Sequence, residues 1–81
     1  MEKTEILKQV GKRIKEVRLS KGITHLQLVI RIEEFGGKMD VSNISRIESG
    51  RTNPTVFTLF RIAEALEVNP KDLIDVGYLP N

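Results

Sequence analysis

Residues 24–54 read THLQLVIRIEEFGGKMDVSNISRIESGRTNP, and the punctuation of that stretch decides the fold. Thr24 followed three positions later by Gln27 is a capping box, in which hydroxyl and amide satisfy free backbone N–H groups at a helix start. Leu26, Leu28, Val29 and Ile32 then supply apolar contacts, and Gly36-Gly37, just past Phe35, ends the helix. Asp40 is an N-cap for the next helix, Val41 to about Ser49, with Ile44 and Ile47 turned inward and Gly50 closing it. Arg51-Thr52-Asn53-Pro54 reads as a turn.

Helical spacing continues on both sides. Ile6, Val10, Ile14 and Val17 form one apolar stripe, with Lys12, Arg13, Lys15 and Glu16 on the other faces and Gly22 as the stop. Thr55 caps a fourth helix in which Leu59, Ile62, Ala63 and Leu66 recur on one side. Asn69-Pro70 starts a fifth, anchored by Leu73 and Ile74, with proline where its missing N–H costs nothing. No segment has strand alternation with a hairpin turn. The expectation is an all-α, compact five-helix bundle around one core, a single domain over residues 1–81.

Composition narrows the chemistry. The chain has no cysteine and one histidine, so disulfides, thiol nucleophiles and the usual zinc sites are not expected. Hydrophobic residues at 40% and charged residues at 30% fit an ordinary folded chain. No apolar run is long enough to span a bilayer, and the charged, mixed-sign N-terminus is unlike a signal peptide, which predicts a cytoplasmic protein with no membrane contact. The net charge of +2 is unevenly placed: residues 1–53 carry 11 Lys/Arg against 7 Asp/Glu, residues 54–81 carry 2 against 4. A basic front face suits a polyanion. His25 has no evident acid–base partner, and no catalytic, phosphate-loop or calcium-loop motif is present, so neither an enzyme nor a cofactor is expected.

Two successive short helices, the second polar on its outer side, are what a helix-turn-helix requires, here over about residues 24–50. The second helix must fit a major groove about 12 Å wide. Its outward set is Val41, Ser42, Asn43 and Arg46. Ser42 and Asn43 can donate and accept at base edges, Arg46 can reach guanine O6 and N7 together, and Val41 can pack on a thymine methyl. An exposed polar helix without a partner is the alternative.

The flanking blocks separate the two. Residues 10–18 (VGKRIKEVR), 21–24 (KGIT), Leu28, residues 43–50 (NISRIESG), Pro54, and Leu59 with residues 62–66 (IAEAL) occur in order. Together they resemble the Cro/cI-type (XRE-like) helix-turn-helix family over roughly residues 7–75. The resemblance implies the lambda-repressor-like DNA-binding fold and a sequence-specific transcriptional regulator. Such relatives act by occupying an operator, most often as repressors. It implies a structural ion pair between Arg18 and Glu48. It also implies phosphate contacts from Thr24 and His25 at the start of the second helix, where backbone N–H groups bind phosphate, and from Arg51, Thr52 and Asn53 in the loop after the recognition helix. A protonated His25 would strengthen its contact; a plain surface histidine is the other reading. Lys12 and Lys21 are weaker candidates, explained equally by solvation.

The chain departs from that family in one place. Leu28 to Glu48 spans 20 positions, against about 15 in the usual helix-turn-helix spacing. The extra residues fall within Arg31–Met39, centred on Phe35-Gly36-Gly37-Lys38, and lengthen the turn, the second helix, or both. Either Lys38 reaches a further phosphate, or the insertion is a tolerated loop with Phe35 against the core edge.

Phe57 and Phe60 lie partly off the apolar stripe of the fourth helix, and Tyr78 follows the last one. These rings either cap the core or form a two-fold interface within residues 55–81, which would place a homodimer on a palindromic operator in double-stranded DNA. No small-molecule effector is indicated. A rival function is an antitoxin, or another protein-binding module, that uses the helix-turn-helix to regulate its own gene.

Overall fold

Four of the five helices begin at a side chain that takes up a free backbone N–H. Residues 2–77 are described by the computed structural model. The Thr24 hydroxyl accepts from the Gln27 N–H at 3.1 Å and the Gln27 amide oxygen accepts from the Thr24 N–H at 2.8 Å, which starts α2 (His25–Glu34). Asp40 accepts from the Asn43 N–H at 2.7 Å ahead of α3 (Val41–Glu48). Thr55 does the same for the Thr58 N–H at 3.1 Å ahead of α4 (Val56–Leu66), and Asn69 for the Lys71 N–H at 3.2 Å ahead of α5 (Pro70–Ile74). The longest helix, α1 (Lys3–Ser20), has no side-chain cap.

The ends of α1 to α4 share one device, the paired backbone bonds of a Schellman motif. After α3, for example, the Gly50 N–H donates to the Ile47 carbonyl at 3.1 Å and the Arg51 N–H to the Arg46 carbonyl at 2.9 Å. Gly22, Gly36 and Gly50 take the left-handed position that this turn requires. After α4 the same position falls to Glu67, at φ 58°. A side chain there costs roughly 1–2 kcal/mol through contact of Cβ with the backbone.

α1 packs on α3 and α5, α2 on α3 and α4, and α4 on α5. Ile14, Leu28, Ile32, Ile44, Ile47, Ile62, Leu66 and Leu73 are fully buried where these helices meet. No strand occurs among the described residues. The bundle is therefore the all-α, five-helix arrangement that the spacing predicts.

Three residues expected inside are outside. Leu26 is exposed because it sits about 160° around the α2 axis from Leu28, on the far side of a helix with 3.6 residues per turn. Ile74 is exposed beside Leu73, the one buried side chain of α5. Ile6 is exposed one turn ahead of Val10, where burial of α1 begins.

α1 crosses the end of α3 backbone to backbone. A Cβ on Gly11 would overlap the Ile47 carbonyl oxygen and lie 2.8 Å from the Glu48 carbonyl carbon. A Cβ on Gly50 would lie 2.8 Å from the Lys8 Cα. Glycine at both positions lets the two helices meet at this distance.

The extra residues lengthen the connection between α2 and α3. α2 closes at the Gly36-Gly37 turn, and residues 35–40 carry the chain to α3. Phe35 is about half exposed, so its ring does not seal the core edge. Met39 packs against the core instead. The Phe35 carbonyl accepts from Arg61 Nη1 on α4 at 2.7 Å, which ties the start of the connection to the bundle. Among the described residues no helix is long and apolar enough to cross a membrane.

Candidate nucleic-acid interface

α3 is amphipathic in the sense a groove-reading helix needs. Ile44, Ile47 and Glu48 are buried, which turns Ser42 and Arg46, one helical turn apart, to solvent. Asn43 is half-buried at one edge of that face and Val41 is exposed at the other. The Arg46 side chain makes no hydrogen bond to another described residue and is free to reach outward. The Ser42 hydroxyl donates to Asp40 at 2.6 Å. That bond and the Asn43 N–H hold the Asp40 carboxyl below its ordinary range, with Arg46 contributing through its charge.

Below this face lies a buried charge cluster. Arg18 Nε donates to Glu48 Oε2 at 2.7 Å and Nη2 to Oε1 at 3.1 Å, with side chains only 6% and 4% exposed. Arg18 Nη1 donates to the Ile23 carbonyl at 2.7 Å. Burial pushes the Glu48 carboxyl up, but the hydrogen bonds from Arg18 and then His25, with both charges, outweigh it and hold the group below the usual glutamate range. The cluster joins the end of α1, the start of α2 and the end of α3.

His25 belongs to that cluster as well as to the surface. Its Nε2 lies 2.9 Å from Glu48 Oε1, while the side chain is about one-third exposed. Nothing in the spacing of Arg18 and Glu48 points to a third member, so this link was not legible in the sequence. Thr24, beside it, is exposed, with its hydroxyl oxygen in the capping box.

Past α3, the Arg51 Nε donates to the Ser49 hydroxyl at 2.9 Å, and that hydroxyl donates to the Arg46 carbonyl at 3.0 Å. Ser49 therefore aims Arg51 from the C-terminus of α3, a role the sequence reading did not assign. Arg51 and Asn53 are exposed and Thr52 is half-buried in this loop. Lys38 is exposed in the lengthened connection, in a shallow depression shared with Glu33, Met39, Asp40 and Asn43.

α4 presents Val56, Phe57 and Phe60, exposed by 71%, 65% and 52%. The Arg61 guanidinium sits over the Phe57 ring at 4.9 Å. These rings do not cap the core. Tyr78 lies outside the described residues.

The helix-turn-helix family model HTH_3 matches residues 14–73, from the middle of α1 through Leu73. An uncharacterised HTH-type transcriptional regulator of Sinorhizobium fredii, y4dJ, is 35% identical over 72 residues, covering 86% of this chain and 84% of that one. Among solved structures, the restriction-modification controller protein C.AhdI from Aeromonas hydrophila superposes with a TM-score of 0.74. It shares 27% identity over 83% of this chain and 94% of its own. An HTH_3 family transcriptional regulator from Vibrio cholerae gives a TM-score of 0.80 at 22% identity, a likeness of fold. It covers 94% of this chain, which spans 41% of that longer protein.

Proposed function

This chain belongs to the HTH_3 helix-turn-helix family of DNA-binding transcriptional regulators, and we propose that it is a repressor that acts by occupying an operator. The observation that carries the reading is the solvent-facing stripe of α3, with Ser42 and an unengaged Arg46 above a rigid buried base. In this reading Val41, Ser42, Asn43 and Arg46 contact base edges, and Arg46 takes guanine with two parallel bonds. Thr24, His25, Lys38, Arg51, Thr52 and Asn53 contact phosphates and set the register without carrying sequence information. The chain acts as one unit with no catalytic step.

One recognition helix reads only a half-site, so two copies on a palindromic operator complete the proposal. The exposed α4 face centred on Phe57 and Phe60 is the surface we assign to the second copy, with Tyr78 as a further candidate. An isologous contact repeats the same patch on both sides and so hides both sets of rings at once.

Selection of bound duplexes from a random pool tests the reading. A palindromic consensus is the expected result. A pool that stays unenriched at low ionic strength, where phosphate contacts are strongest, overturns it.

A further inference from the structure

We propose that His25 is a two-sided contact whose second nitrogen, Nδ1, grips DNA only when the ring is protonated, so that binding duplex takes up a proton. The inference rests on the placement of the α2 N-terminus at a phosphate.

The chemistry begins at Glu48. Its carboxylate is buried and paired with Arg18 through both oxygens. An ionised carboxylate only accepts hydrogen bonds, so the imidazole Nε2 that lies 2.9 Å from Oε1 must carry a proton. A neutral ring then has its lone pair on Nδ1. Nδ1 has no hydrogen-bond partner among the described residues, and the one-third exposure of the side chain keeps the ring open to solvent. A phosphate oxygen offers no hydrogen, so it meets the Nδ1 lone pair with repulsion. Once Nδ1 is protonated the same atom becomes a charge-assisted donor. The imidazolium then stands between two anions, the buried carboxylate and the phosphate.

Few other charges surround the ring. Glu48 faces it from α3, with Arg18 of α1 behind. The first turn of α2 carries no acidic residue. Lys21, between α1 and α2, lies along Gln27 and Ile30 further up the helix. The α4 cation Arg61 meets α2 at its opposite end, at the Phe35 carbonyl. The cluster also gives His25 a mechanical role. The Nε2 bond ties the start of α2 to the end of α3.

Imidazole is the side chain whose charge changes between about pH 5 and 8, and His25 is the only histidine in a chain without cysteine. Fluorescence anisotropy on a labelled duplex, at constant ionic strength, reads the effect. Wild-type affinity should rise about tenfold from roughly pH 8 to pH 6, the scale of one charge-assisted contact. His25→Gln offers an N–H to Glu48 but does not titrate, so its affinity should not vary with pH over that range, with circular dichroism checking that it is folded. A flat wild-type profile, or an equally steep profile in His25→Gln, overturns the inference while leaving DNA binding intact. Absence of wild-type binding at every pH overturns the functional reading, and this inference with it.

Discussion

Arg18 and Glu48, thirty positions apart, meet in a two-pronged contact beneath the outward face of α3. Removing one side of such a buried pair leaves the other charge without a partner. Glu48→Gln should therefore lower unfolding free energy by about 3–5 kcal/mol, read as a fall in the urea midpoint at unchanged slope. A loss within about 0.5 kcal/mol, the range of surface changes, would contradict this account of the cluster.

The same pair sets the response to acid. The Glu48 carboxyl titrates lower in the folded chain than in the unfolded one. Its contribution is complete above the ordinary glutamate range near about pH 4.3. It is lost as pH falls through the lower folded value, because the unfolded chain then binds more protons. Wild-type stability should drop steeply below about pH 4. Glu48→Gln should start lower and lose less over the same interval.

Gly11→Ala should be among the most damaging single-methyl additions. The new carbon meets backbone at Ile47 and Glu48, which cannot rotate aside as a side chain can. We expect a loss of about 1–3 kcal/mol or more and weaker duplex binding, since α3 would have to move away from α1. Thermal unfolding and anisotropy on one sample check both.

Glu67→Gly should stabilise the protein. Among the described residues Glu67 is the one non-glycine with a left-handed backbone, and its exposed side chain makes no ion pair with any of them. Relief of strain outweighs the added freedom of the unfolded chain by about 0.5–1 kcal/mol. An unchanged or lower melting temperature would show that the turn carries no strain.

Arg46 and Arg51 should separate on DNA. Arg46→Ala should cost about 1–3 kcal/mol on the selected operator and relax preference at one base pair. Arg51→Ala should weaken selected and random duplexes alike and reduce the salt slope by about 0.9 per chain. Equal losses on both duplexes for Arg46→Ala would make it another phosphate contact.

Phe57→Asp tests the two-fold contact. Sedimentation of the wild type should give twice the 9.2 kDa chain mass, and the variant the single mass. A monomeric wild type at high micromolar concentration would remove that surface from the functional account.

The helix starts were the most legible part of the sequence. A capping side chain two or three residues before its backbone partner is a local signal: Thr24, Asp40 and Thr55 act three positions ahead, and Asn69 two. The core followed from periodicity, except where a helix is short or just beginning. Leu26, in the first turn of α2, and Ile74, in the short α5, each lie off the buried side of their helix. What could not be read was the third dimension of the site. The His25–Glu48 bond and the backbone contact at Gly11 depend on how α1, α2 and α3 cross. The half-exposed Phe35 was obscured because an aromatic beside two glycines reads equally as core edge or as loop.

The connection between α2 and α3 is fastened at both ends, by Arg61 where it leaves one helix and by Asp40 where it enters the next. Chain length between those two clasps is thereby uncoupled from the pose of either helix. Extra sequence spliced in beside Lys38 would lengthen a surface excursion and leave Ser42 and Arg46 where they stand, so this bend is a natural port for an added element that reaches along the duplex.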